Sequence, residues 1–437
     1  MKSVVSTPPA AFFSLAALLL LSITPARARD LLLRNAQLVD PAQRTITATD
    51  ILIHDGRVAA PGTKAAADVE TLDLKGKWVI PGLIDLHVHD AGNPQPDDGY
   101  EEMALGDTAR RMLYCGVTAY LNLGTSESEE FFSRRDRQRA RPLAPSDEAD
   151  LYGAGEPFGR WSLGSPAMAP GKVAAYVKKW RPDVIKIIYD HAHGRSSLDR
   201  PTFVAAVNAA RAAGVKTVVH ISTWQDARDA IEAGAAAVTH FCDDDLIPDD
   251  LPAQWAKSGV RSIPTMAVQS DLAAIVAQPA MLERPLLRAV ASAATLDAYR
   301  HRRSFANKAL GTVQWQREDR ANDFAAVRRL AAAGVTLLAG SDVGNLGTFQ
   351  GYSLHREIKI LQEAGLPAWD ALAGATTKAA DFLGRPHGIR AGEIAELVIL
   401  DANPTDDVAN TEKISGVVHH GQLVDRSKPP VAATTGK

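Results

Sequence analysis

The sequence predicts an α/β protein: a (β/α)8 TIM barrel with a composite β-sandwich domain built from both chain ends. Three observations lead there. The middle of the chain repeats one unit, an Ala/Arg-rich helical segment that ends at a glycine and runs into an apolar strand. It recurs at Cys115-Gly116-Val117, Ala213-Gly214-Val215, Ala233-Gly234-Ala235, Ser258-Gly259-Val260 and Ala333-Gly334-Val335. Glycine just past a helix end is the usual left-handed cap, and helix-then-strand repetition implies a parallel sheet. Second, the middle holds eight strand-like runs, the number a TIM barrel needs. Third, short β-like segments with turn signals occupy both ends of the chain.

Taken in order, the chain opens with Lys2, an apolar run from Ala10 to Ile23, and Pro25-Ala26-Arg27-Ala28. A positive start, a short apolar core and a small-residue site predict a secretory signal peptide over 1–28, cleaved after about Ala28, with export to a periplasm or beyond. The run is shorter than the ~20 residues that span a bilayer, so no membrane anchor is expected after cleavage. From 29 to 80, Leu31–Arg34, Ile51–His54, Val58 and Trp78–Ile80 read as strands, broken by Asp55-Gly56 and Lys75-Gly76-Lys77 turns. The barrel is expected over 81–384. Its strands are Leu83–Leu86, Val117–Leu123, Asp150–Tyr152, Val184–Ile188, Lys216–Val219, Ala236–Val238, Ser262–Met266 and Val335–Ala339. The third is short and only partly apolar. A doubly wound open sheet is the alternative, but no Gly-x-Gly-x-x-Gly follows the first strand. Residues 271–318 exceed one crossover and predict a lid or substrate-pocket insertion. Residues 385–426 return to β texture, with Glu396–Leu400 as a strand and Val417–Val418 with Gly421–Val424 as a hairpin. A polar tail, 427–437, follows.

Composition narrows the function. The 437 residues are 46% hydrophobic and 23% charged, ordinary for a soluble globular protein. A net charge of −3 leaves no basic footprint for nucleic acid. The two cysteines, Cys115 and Cys242, fall before one strand and after another, at opposite barrel ends. Two free thiols are therefore predicted.

The chemistry is read at the C-terminal ends of the strands, where TIM barrels keep their active sites. Strand one closes Pro81-Gly82-Leu83-Ile84-Asp85-Leu86-His87-Val88-His89. Alternate strand residues share a face, so His87 and His89 point to the same side and can hold one cation. Strand four carries Lys186 between β-branched residues, a costly place for a charged amine without a partner. Strands five and six end at His220 and His240, and Ser341-Asp342 follows strand eight. Each has a plain alternative: core histidines satisfied by backbone, or Asp342 as a helix N-cap. Those alternatives must hold six times over, whereas a metal site accounts for all six residues at once.

With these residues in hand, the chain resembles the amidohydrolase superfamily, most closely its prolidase and imidazolonepropionase-like branch. The resemblance covers nearly all of the chain after the leader, through Glu396-Leu397-Val398-Ile399-Leu400-Asp401 and Asn403-Pro404. It implies two divalent metal ions. His87, His89 and Asp342 would hold the more buried ion and His220 and His240 the more exposed one. Lys186, carboxylated by CO2, would bridge them, which turns the buried cation into an anionic ligand. Zinc is the default for such a ligand set. The implied reaction is attack of an activated water on an amide, with Asp342 as general base and then acid. Single-metal deaminases of the superfamily carry His-x-x-Glu after strand five and lack the lysine. Here Ile221-Ser222-Thr223-Trp224 follows His220.

The chain departs from many prolidase-like members after strand six, with His240-Phe241-Cys242-Asp243 where they have His-Gly. The loop after strand four, Tyr189-Asp190-His191-Ala192-His193-Gly194-Arg195, is also its own. Tyr189, His191 and Arg195 are expected to contact substrate, with solvated loop residues as the alternative. The expected function is hydrolysis of a C–N amide bond in a dipeptide, N-acyl amino acid or cyclic amide. A lactonase or ester hydrolase on the same site, or a non-catalytic binding protein on the scaffold, are the alternatives. The partner is a small molecule, and a homo-oligomer is compatible with the sequence.

Overall fold

The computed structural model describes residues 30–431 apart from 91, 97–98, 126–127, 193–196, 243–244 and 302–319. The leader over 1–28, Arg195 and the far part of the 271–318 insertion lie outside the described residues. Among the described residues no helix is long and apolar enough to cross a membrane.

The first segment is β. Strand β1 (Leu31–Asp40) pairs antiparallel with β2 (Thr45–His54) along its length. The expected Asp55-Gly56 turn has φ of 50° and 73°, positive at both central residues as a tight hairpin needs, and leads into β3 (Arg57–Val58). The other edge of β1 carries two parallel partners in succession, β4 (Glu70–Asp73) and then β5 (Trp78–Pro81). The exchange falls at Asn35, left-handed at φ 58°, where the β1–β2 register shifts.

The middle is parallel α/β. Strand β6 (Leu83–Val88) is followed by a hairpin that the sequence reading missed, β7 (Gly92–Gln95) with β8 (Gly99–Glu102). Then come β9 (Val117–Asn122), β10 (Asp150–Gly153), β11 (Val184–Ile188), β12 (Lys216–His220), β13 (Ala237–Thr239) and β14 (Arg261–Ile263). Strands β6, β9 and β10 pair in parallel, as do β11 through β14 in order. Backbone bonds also cross the seams. The Asp183 N–H donates to Gly153 O at 3.0 Å, and Phe158 bridges Ile187. All five glycines expected to end helices have positive φ.

Two strand predictions are corrected. The seventh strand stops at Ile263 rather than Met266, because Pro264 brings no N–H and Thr265 turns left-handed at φ 56°. The eighth run, Val335–Ala339, is not a regular strand. It makes single bridges, Leu337 to Ser262 and, beyond it, Val343 to Val88. Its backbone is nonetheless engaged on both sides: Leu338 N–H donates to Ser262 O at 2.8 Å, and Leu86 N–H to Ala339 O at 3.1 Å.

The C-terminal part returns to the first sheet with β15 (His387–Gly388), β16 (Ile394–Ala395), β17 (Leu397–Leu400), β18 (Ile414–His419) and β19 (Gln422–Leu423). β17 pairs antiparallel with β5, β16 with β3, and β18 with both β17 and β19. The two chain ends are thus hydrogen-bonded into one ten-stranded sheet. Leu33, Ile53, Val79, Leu397 and Val418 form its solvent-free core. Cys115 and Cys242 are both buried, and neither is in a disulfide.

Candidate metal centre

The six singled-out side chains meet at one end of the parallel strands. Asp85, His87 and His89 follow the same-face alternation of β6. Lys186 lies inside β11, and the register pairs Ile188 with His220 at the end of β12. His240 follows β13 with φ 70°, its N–H donating to Ile263 O at 3.0 Å. Asp342 is drawn against the first strand by its own N–H, which donates to His87 O at 2.8 Å. The side chains then close on one another. Asp342 Oδ1 lies 3.1 Å from His89 Nε2 and 3.3 Å from His87 Nε2, and His240 Nδ1 lies 4.0 Å from Asp342 Oδ2. Lys186 Nζ is 3.3 Å from His87 Nε2 and 3.3 Å from Thr239 Oγ1. The His220 and His240 ring centres are 4.4 Å apart, and those of His240 and His87 5.0 Å.

Electrostatics divide the cluster: burial lowers the His89 imidazole but Asp342 outweighs it and raises that group, while His87, His240 and Lys186 are held as bases. Burial holds His87 and His240 far below the usual imidazole range, so both are neutral with a lone pair to offer. Burial also pulls the Lys186 amine down to about 7, with the Asp342 charge only partly opposing. Asp342 Oδ1 is buried and carries no hydrogen bond, despite the two imidazole nitrogens beside it. Neutral imidazoles and an orphaned carboxylate oxygen directed at one point suit a cation. His87, His240 and Asp342 alone offer three ligand atoms within 4.8 Å of one another.

The frame around the centre is rigid. Ser341 donates its backbone N–H and its hydroxyl to the Asp85 carboxylate, at 2.9 and 2.5 Å. Glycines bracket Asp342: a methyl on Gly340 would lie 2.9 Å from His87 Cβ, and one on Gly344 2.6 Å from His89 Cβ. The absent side chains let the Asp342 loop approach both histidines. His89 Nδ1 faces Gly124 O at 3.1 Å, which leaves Nε2 for the centre. His240, Thr265 and Asp342 all have positive φ, the kind of backbone strain that collects at functional sites.

The loop after β11 is engaged elsewhere. The Tyr189 hydroxyl is buried and donates to Asp229 Oδ2 at 2.7 Å, so a substrate contact would require that bond to break. His191 uses both ring nitrogens, on Asp226 Oδ1 at 2.6 Å and Leu198 O at 3.1 Å, and acts as a staple of the loop. Arg195 lies outside the described residues. Sequence reading missed Asp85, Ser341 and Thr265. Asp85 and Ser341 adjoin predicted ligands, whereas Thr265 falls inside the run Ser262–Met266, which reads as a strand.

Comparison with known proteins decides the family. The model of the amidohydrolase family matches residues 78–424. The chain belongs to the amidohydrolase family. It is accordingly an enzyme, and hydrolysis at carbon–nitrogen bonds is the activity to which that membership points. This amidohydrolase is 24% identical over 397 residues to an uncharacterized protein of Mycobacterium tuberculosis, covering 86% of this chain and 90% of that one. Among solved structures it is similar to a Xaa-Pro dipeptidase with methionine bound in the active site. That match has a TM-score of 0.69 at 20% identity, covering 90% of this chain and 99% of the other. It is also similar to phenylurea hydrolase B, with a TM-score of 0.70 at 18% identity, covering 93% and 100%. At these identities the likenesses establish a shared fold.

Proposed function

We propose that this amidohydrolase is an exported, binuclear metal-dependent enzyme that cleaves a C–N amide bond in a small molecule such as a dipeptide, N-acyl amino acid or cyclic amide. The convergence of His87, His89, Lys186, His220, His240 and Asp342 around the orphaned Asp342 Oδ1 carries the reading. His87, His89 and Asp342 would hold one divalent ion and His220 and His240 the second. Lys186 would bridge as its carbamate, since a carboxylated amine is an anionic oxygen ligand where an ammonium would repel both ions. The histidine-rich set suits zinc. Bound divalent ions supply the Lewis acidity that activates a water near neutral pH and polarises a carbonyl. The chain's own residues do the rest. Asp342, bonded through its backbone to His87 O, takes the proton of the attacking water and delivers it to the departing nitrogen. The buried strand walls exclude bulk water from the reacting atoms.

The architecture that fits this reading is a closed (β/α)8 barrel over 81–384, with 335–343 as its eighth stave. A second domain would be built from 29–80 and 385–426, and the leader over 1–28 would be removed on export. The test is metal analysis of the purified protein joined to a substrate screen. About two equivalents of metal are expected, lost together with activity on chelation and restored with it. The reconstituted enzyme is then screened against dipeptide, N-acyl amino acid and lactone libraries, amide turnover being the expected hit. A protein that purifies metal-free and gains none on reconstitution overturns the reading.

A further inference from the structure

A threonine outside the ligand set controls which nitrogen His240 can offer. Thr265 Oγ1 lies 2.7 Å from His240 Nδ1 and 2.7 Å from Pro264 O, and the residue is solvent-free. A carbonyl oxygen can only accept, so the hydroxyl proton goes to Pro264. The hydroxyl oxygen is then left to accept, and Nδ1 must be the donor. With the proton on Nδ1, the lone pair sits on Nε2. We propose that Thr265 is a positioning residue that locks His240 in the Nδ1–H tautomer and thereby fits it as a ligand. This rests on the two-metal reading above.

Two features show what the fold gives up for this contact. Thr265 is left-handed, at φ 56° and ψ 45°, a conformation β-branched residues seldom adopt. It is also the N-cap of the helix Met266–Ala277, where a threonine hydroxyl ordinarily accepts an N–H from the first turn; here it makes no such bond. The vacancy is filled from another element. Glu357, buried on the helix Tyr352–Glu363, accepts the Ala267 N–H at 2.7 Å. Capping is thus delegated to Glu357, and the threonine hydroxyl is released to His240. A threonine present only to start its helix would cap that helix itself.

The test is competition for Zn2+ between the metal-depleted protein and a chromophoric chelator. Wild type is compared with Thr265→Val, which keeps the β-branch and removes the acceptor, and Thr265→Ser, which keeps the hydroxyl. Wild type is expected to take up two ions. Thr265→Val should hold one of them about 10- to 100-fold more weakly, the usual scale for losing a ligand's hydrogen-bond partner. Thr265→Ser should return to the wild-type curve. Equal affinity of Thr265→Val and wild type for both ions overturns the proposal. Wild type that binds no Zn2+ overturns the two-metal reading instead. If the valine variant does not fold, the tautomer is read directly by 15N-imidazole NMR of metal-free wild type, with His240→Asn assigning the signal. The Nδ1–H pattern supports the proposal and the Nε2–H pattern overturns it.

Discussion

Ser341 donates its hydroxyl to Asp85 at 2.5 Å, joining the loop that carries Asp342 to the strand that carries His87 and His89. The same carboxylate accepts the N–H groups of Ser341 and His87, at 2.9 and 3.2 Å. One buried aspartate therefore sets the spacing between the Asp342 loop and the strand that carries His87 and His89. Burial lifts Asp85 to about 7, against the pull of its bonds to Ser341. Ser341→Ala leaves one carboxylate oxygen short of a donor in a solvent-free place. A loss of about 1–3 kcal/mol is expected, read as a lower urea midpoint with an unchanged slope.

Asp342 is assigned the proton transfer, and its backbone N–H holds it to the first strand at His87 O, 2.8 Å away, whatever its side chain carries. Asp342→Asn should therefore keep its position and retain much of the bound metal. Turnover should fall about 10²- to 10⁴-fold, the usual contribution of a positioned acid–base group. Metal content and kcat are measured on the same preparation. Full activity removes Asp342 from this role.

Gly344 has φ 106°, and a methyl there would press on His89 Cβ at 2.6 Å and on His89 O at 2.7 Å. Both the backbone and the packing forbid a side chain. Gly344→Ala is expected to cost about 1–3 kcal/mol in strain. Because the clash falls on His89, a proposed ligand, metal affinity should fall with stability. Gly392 is the control, left-handed at φ 86° in open space and away from the six ligands. Its alanine variant should lower the thermal midpoint alone.

The meeting of the six side chains was legible because strand periodicity and position at the C-terminal ends of the strands are sequence properties. His87 and His89 had to share a face, and a lysine inside an apolar strand advertises itself. The five glycine caps were legible for a similar local reason. What was not legible depended on contacts between distant segments. The eighth run looks like a strand by composition, yet its neighbours Ser262 and Leu86 are staggered and it forms only single bridges. Thr265 reads as the inside of a strand because its contact with His240, 25 residues away, leaves no mark on local sequence. Tyr189 looks available until Asp229 is placed beside it.

Tyr189 distinguishes a substrate contact from a structural one. Its hydroxyl shares Asp229 with Arg200 Nε at 2.9 Å and Gln225 Nε2 at 3.1 Å, and its ring stacks on Phe203 with centres 4.2 Å apart. Tyr189→Phe keeps the stack, and Asp229 keeps two donors. Stability should drop by about 1 kcal/mol, with KM unchanged. A KM raised several-fold at constant kcat would return Tyr189 to the substrate pocket.

His420 links the two chain ends to the strand layer and gives the fold a pH dependence. Its Nε2 faces Asp150 Oδ1 at 2.9 Å and its Nδ1 faces Ala144 O at 2.8 Å, so both nitrogens donate and the ring is cationic. Around it stand Glu396, His419, His387 and Arg385, whose guanidinium lies 2.6 Å from Asp150 Oδ2. Burial depresses the imidazole, but the bond and charge of Asp150, with Glu396, outweigh it and raise the pKa from 6.5 to about 9. Two carboxylates, Asp150 and Glu396, face Arg385 and protonated His420 within the cluster. A raised folded-state pKa means its stabilisation is complete below about pH 6.5 and lost as pH climbs through about 9. The amount is of order 3 kcal/mol. Urea midpoints between pH 6 and 10 should decline across that window in wild type and stay flatter in His420→Gln. Parallel profiles would mean that His420 is neutral in the fold and that Arg385 alone neutralises the pair.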